Sequence, residues 1–269
     1  MRKHARGFTI VEMLVISPII MLTIGTFITA IISMTGEVLA ARAKNMLAYN
    51  VQDAMTQIEH DVRNSTSFLA TNSSTPLTSP QGYENDTTSF FNVDVVKGDM
   101  LILEQNATLD NPITASRSLV YLKDRPYSCG SPQIRNNTPL TTNVVYFIRN
   151  NTLWRRTILQ NDYASPTTSC ATPWQQPSCQ PGYSASGFCK TNDVELVKGV
   201  TANDFSVDYF DTPASTIANA TINSPGTPLA TRTALLATTK TARITINATS
   251  TVAGRNISWS ASIRVVQAR

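Results

Sequence analysis

The sequence predicts an α+β protein: a long, partly transmembrane N-terminal α-helix packed on a C-terminal antiparallel β-sheet domain. Three observations carry this expectation. Residues 8–34 form one apolar run whose only ionisable side chain is Glu12. Leu47, Val51, Met55, Ile58 and Val62 then recur at spacings that lay them on one face of a helix. Beyond residue 98, short segments rich in Val, Ile, Tyr and Thr are separated by turn residues, the pattern of strands.

The N-terminus organises the rest. A basic head (Arg2, Lys3, His4, Arg6) stops at Gly7. The apolar run that follows exceeds the roughly 20 residues needed to cross a bilayer as a helix. Lys and Arg stay on the cytoplasmic side, so the remainder of the chain is expected to be exported. Glu12 is the anomaly, because a carboxylate inside a bilayer is costly and needs a partner. A cut between Gly7 and Phe8 would create an α-amino group on Phe8, one helical turn away. The run Gly7-Phe8-Thr9-Ile10-Val11-Glu12-Met13-Leu14 resembles the class III signal of type IV pilins and type II secretion pseudopilins. The resemblance implies a pilin-like fold and cleavage after Gly7 by a membrane prepilin peptidase. It also implies N-methylation of Phe8 and a role for Glu12 in docking into a filament. A plain signal anchor and a secretory signal peptide are the competing readings. The first explains the hydrophobicity but not the peptide motif. The second normally has an apolar core of only about 7 to 15 residues.

The expected organisation is a leader at 1–7, a transmembrane or filament-core helix at 8–34 and its amphipathic continuation at 35–65. An exported β-rich domain fills 66–269. The whole helix, residues 8–63, would measure roughly 80 Å. Pro18 is expected to kink or loosen it, and Asn64-Ser65-Thr66-Ser67 to end it. Net charge is +4, and removal of residues 1–7 takes away three cations and leaves +1. A nearly neutral exported domain lacks the basic surface of a general nucleic-acid binder. Cys129, Cys170, Cys179 and Cys189 all lie beyond the helix. Their even number in an exported domain favours two disulfides, with three connectivities open. Zinc is the weaker alternative, since no Cys-x-x-Cys pair or nearby His is present.

Residues 66–98 and 212–232 read as polar surface excursions. Strands are expected at 99–104, 117–122, 143–149, 152–157, 194–200, 205–211, 242–249 and 257–266. Asn150-Asn151 makes the third and fourth a hairpin; Gly254-Arg255-Asn256 turns the last pair. Both closing strands alternate apolar with polar residues, so each should have one buried and one wet face. The proline- and cysteine-rich stretch 160–192 reads as a disulfide-tied surface loop, with Trp174 and Tyr183 packed within it in preference to serving as contacts. The segment 58–65 with Asp61-Val62-Arg63, the pair Val144-x-Tyr146-x-Ile148 and Leu153-x-Arg155, and Leu196-x-x-Gly199-Val200 with Phe205-x-x-x-Tyr209-x-Asp211 resemble J-type minor pilins and pseudopilins. That resemblance implies an accessory subunit near a filament tip that helps initiate assembly. Its partners would be other pilins, met through the N-terminal helix, and an inner-membrane assembly platform.

No catalytic or cofactor motif is present in the sequence: no phosphate loop, His-Glu-x-x-His zinc site or Asp-rich calcium loop. His60, the only histidine past the leader, is expected on a solvated helix face, and Asp61 beside it. The chain is read as no enzyme, without cofactor or metal. Two alternatives stay open. One is a tip adhesin or DNA-uptake pilin using the 160–192 loop. The other is a signal-anchored surface protein outside any filament, in which Glu12 would be replaceable.

Overall fold

A computed structural model describes residues 9–72, 100–113, 117–122, 139–159, 169–182, 190–224 and 226–268. Helix α1 (Ile10–Asn64) runs for 55 residues, about 82 Å at 1.5 Å per residue. It passes through Pro18 without interruption. Thr9 caps its start, and Ser65 ends it by turning to an extended conformation while its hydroxyl donates to the Val62 carbonyl at 2.7 Å.

The strands in chain order are β1 (Ser65–Phe68), β2 (Leu101–Asn106), β3 (Thr141–Arg149), β4 (Thr152–Ile158), β5 (Ser178–Cys179), β6 (Thr191–Asn192), β7 (Val194–Lys198), β8 (Phe205–Phe210), β9 (Thr241–Val252) and β10 (Arg255–Val266). They form a five-stranded antiparallel sheet in the order β1-β2-β3-β4-β7 and a three-stranded antiparallel sheet in the order β10-β9-β8. A short parallel pair, β5-β6, stands apart. The C-terminal half of α1 packs on strands of both large sheets, so one apolar core serves both. Strand β3 is buried on both faces from Thr142 onward, as its continuous apolar run requires.

The β3–β4 hairpin turns at Asn150 and Asn151, whose φ values of 52° and 55° are the left-handed pair of a two-residue turn. The β9–β10 turn is shorter than the sequence suggests. Ala253 and Gly254 supply it at φ 50° and 74°, and Arg255 and Asn256 already pair with Val252 and Thr251. β9 alternates as expected. On β10, Ile257 and Val265 are buried, but Trp259 between them is 38% exposed, because an edge strand finds cover on one side only.

Three expectations need correction. Residues 117–122 form no regular strand; isolated bridges from Leu119, Tyr121 and Leu122 hold them. Val120 instead joins Ala107, Leu140 and Leu159 in a small separate core. The excursion at 212–232 is not all loop, since α2 (Ala220–Asn223) lies within it and α3 (Leu229–Thr238) begins there. Arg232 and Leu236, four residues apart, bury one face of α3, and the Arg232 guanidinium donates to the Ile222 and Ser224 carbonyls at 2.7 and 2.8 Å. Frequent Thr in this stretch masks its Leu- and Ala-based helix propensity. The described part of 160–192 is no mere surface loop. Gln175, Ser178 and Cys179 are buried, and Thr157 of β4 donates its N–H to the Ser178 hydroxyl at 2.9 Å. The segment covers the face of β3–β4 that α1 leaves bare.

Gly199 joins the two large sheets. Its N–H donates to Asn151 O and its carbonyl accepts from Thr249 N, each at 2.8 Å. With φ at +76°, a Cβ there would stand 1.8 Å from the Thr249 carbonyl oxygen. Gly199→Ala is therefore expected to destabilise the domain by about 3 kcal/mol in urea titrations of the detergent-solubilised chain. Gly226→Ala, at a site with open space, should change stability by less than about 0.5 kcal/mol.

Candidate functional site

From Thr9 to Thr35 every residue of α1 is exposed. Ile10, Met21 and Phe27 show 84%, 73% and 68% of their surface, an apolar area far beyond what a water-facing helix carries. This stretch is long and apolar enough to cross a membrane. Its threonines fit that solvent. Thr23, Thr26, Thr29 and Thr35 donate their hydroxyls to carbonyls three or four residues back, so none of these four donors would face hydrocarbon unpaired.

Glu12 folds back on the helix start. Its Oε2 accepts from Thr9 N at 2.9 Å and Thr9 Oγ1 at 2.8 Å, while Thr9 Oγ1 accepts from Glu12 N at 3.3 Å. This reciprocal capping box brings the carboxylate to the residue after Phe8. Thr9 is a capping residue that the sequence reading missed, although Thr-x-x-Glu ahead of an apolar run is its signature. Gly7 and Phe8 lie outside the described residues.

The helix is fixed to the domain by charge as well as by apolar contact. Asp61 is buried, not solvated. Its Oδ2 accepts from Tyr146 Oη at 2.5 Å and from Arg155 Nε at 2.6 Å, and its carbonyl accepts from Gln105 Nε2 at 2.9 Å. His60, next in line, is exposed as expected. Burial, and after it the Asp61 carboxylate, push the Tyr146 hydroxyl well above the ordinary tyrosine range. Desolvation pulls the Arg155 guanidinium down, but Asp61 and Tyr146 together outweigh it and raise the net value.

Successive residues of a strand point to opposite faces, so Arg156 points away from Arg155. It meets a second buried carboxylate, Asp193, through Nε at 3.0 Å and Nη2 at 2.7 Å. Arg149 Nη1 reaches Asp193 at 3.2 Å, and the Ser178 hydroxyl donates to it at 3.0 Å. Arg149 also stacks 4.4 Å above the Trp154 ring. The network pins the cysteine-bearing segment to the sheet. Cys170 and Cys179 are both disulfide-bonded; Cys129, Cys189 and Tyr183 lie outside the described residues. Trp174, expected to pack within its own segment, is 48% exposed because Gln175 and Ser178 take the inward positions. No protein-family model and no curated protein matches the chain.

Removing one partner of a buried ion pair strands the other. Asp61→Ala is expected to cost about 3–5 kcal/mol by urea denaturation, and the double change Asp61→Leu with Arg155→Met to recover part of that loss. Stability should also fall on the alkaline side. Unfolded tyrosine releases its proton near pH 10, whereas buried Tyr146 and Tyr209 keep theirs to higher pH. Their contribution is complete below about pH 10 and is lost as pH rises through the raised folded values. Melting curves between pH 9 and 12 should show this decline, and Tyr146→Phe should flatten it.

Proposed function

We propose that the chain is a minor pilin or pseudopilin: a structural subunit of a type IV pilus or type II secretion-like filament, without enzymatic activity, standing at or near the tip and helping to initiate assembly. The observation that carries this reading is the Gly7-Phe8-Thr9-Ile10-Val11-Glu12 sequence at the head of α1. Two features of the fold support it. The helix is one continuous rod, exposed throughout from Ile10 to Thr35, while one face of its C-terminal half is buried against the β domain. A helix of that form presents an apolar stave for packing beside like helices, with the β domain outside. The residues that resemble J-type chains also converge, since Asp61, Tyr146 and Arg155 come from distant segments and bond to one another.

In this reading the exported chain is held in the membrane, N-terminus cytoplasmic, until leader removal frees it to enter the filament. Glu12 already lies at the Thr9 N–H, so the new Phe8 amine forms beside a carboxylate. That pair neutralises an acid that hydrocarbon would otherwise penalise, and the amine of a neighbouring subunit serves equally. Intact-mass and N-terminal peptide analysis of the native protein from cell envelopes tests the proposal. A chain beginning at Phe8 with one added methyl group is expected. A chain beginning at Met1 would instead make it a signal anchor, and one beginning near residue 41 or 44 a secreted protein.

A further inference from the structure

At the end of α1 farthest from the apolar run, a cleft of about 380 Å³ opens between the helix terminus, β2 and the C-terminal residues of the chain. Its charge is one-sided. Arg63, Arg117 and Lys240 line it, Arg63 already paired with Glu59 at 2.5 Å, and among the described lining residues there is no carboxylate. The Arg117 guanidinium has no partner among those residues. Lys240 Nζ spends one donor on the Thr66 carbonyl at 3.2 Å and keeps the rest. The walls add unmet acceptors. Gln267 is 5% exposed, its Nε2 donates to Ser65 Oγ at 2.8 Å, and its Oε1 has no partner; Asn64 Oδ1 has none either. Orphan acceptors are costly, so a donor supplied beside them would be favoured. An occupant must therefore bring negative charge and hydroxyl or N–H donors together.

A second cleft of about 390 Å³ adjoins the first, sharing Asn64, Gln105, Pro112 and Gln175 as a common wall. Its chemistry differs. The half-exposed Trp174 lines it, as do the carboxylates of Asp53 and of Glu195, the latter paired with Lys198 at 3.3 Å. An indole face with acceptors beside it suits a neutral ring that has a C–H face and a rim of hydroxyls. It does not suit a polyphosphate backbone, which Asp53 and Glu195 repel and which needs a continuous basic track.

We infer that these joined clefts bind an acidic saccharide, with a terminal carboxylate-bearing ring between Arg117 and Lys240 and a neutral ring against Trp174. The site lies on the domain and stands whether or not the chain enters a filament. Two sources share this chemistry: a neuraminate cap and a uronate cap.

Calorimetric titration of the full chain in detergent micelles tests the site with sialyllactose and with a glucuronate-capped hexose disaccharide. Lactose, inorganic phosphate and a short oligothymidylate are the comparators. Saturable binding of at least one acidic sugar is expected, about tenfold or more tighter than lactose and phosphate, and the stronger of the two identifies the source. Arg117→Ala and Lys240→Ala should each weaken the acidic sugar about tenfold. Trp174→Ala should weaken sialyllactose but leave free N-acetylneuraminate unchanged. All three side chains are at least partly exposed, and an unchanged urea midpoint verifies that each variant folds. No binding of either acidic sugar overturns the inference, as does lactose binding equally well. Phosphate binding as tightly as both sugars would reduce the cleft to a simple anion site, and tighter oligothymidylate binding would make it a nucleic-acid site. Variants that bind like the parent overturn it too.

Discussion

Two adjacent arginines hold this protein together. The pleat of β4 sends Arg155 to one face of the sheet and Arg156 to the other, and each finds a buried carboxylate from a different part of the chain. Asp61 arrives on the long helix, Asp193 on the segment that follows the cysteines. Neither pair is a cheap source of stability, since desolvating ions costs much of what their attraction returns. What such pairs supply is register. A helix held only by Leu47, Val51, Met55, Ile58 and Val62 could shift by a turn and still bury apolar surface. A carboxylate that must meet both Tyr146 and Arg155 allows one position.

That fixed register gives the exposed half of α1 its meaning. One helix carries two kinds of surface, exposed and apolar up to Thr35, then packed on the β domain from about Glu37, whose carboxylate lies 3.8 Å from Arg255 of β10. Up to Thr35, the polar side chains with visible bonds satisfy themselves at the helix: threonines to the preceding turn, Glu12 to its own cap. Downstream, polar groups reach across to the sheets. A rod rigidly attached to its domain transmits the orientation of one to the other, which a subunit of the proposed filament requires. The C-terminus strengthens the attachment, as Ala268 N donates to the Arg63 carbonyl at 3.3 Å and closes the helix end.

The cover over the second face of β3–β4 follows from the same constraint. Phe147, Arg149, Trp154 and Arg156 would stand in water on that side if nothing lay over them. The segment carrying Gln175, Ser178, Cys179 and Asp193 does so, using one carboxylate to serve two guanidiniums and a hydroxyl. Turning those residues inward leaves Trp174 facing out, and it is this outward ring, beside the cationic cleft, that gives the far end of the molecule a recognisable chemistry.

The amino-acid sequence by itself determined what depends on neighbours along the chain. The helix from the apolar run to Asn64, the Asn150–Asn151 hairpin, the closing strands and the apolar stripe from Leu47 to Val62 all rest on periodicity and turn chemistry, which are local. The Thr9–Glu12 cap is equally local, written in the Thr-x-x-Glu spacing ahead of an apolar run. Tertiary structure decided the rest. Asp61 and His60 are neighbours with the same local prospects, yet one is buried and the other exposed, because only Asp61 comes opposite Arg155, some ninety positions away. The assignment of β7 and β8 to different sheets, the inward turn of the cysteine segment and the burial of Arg232 have the same origin. Each is settled by which partner a polar group finds across the fold, and no spacing within the chain encodes that.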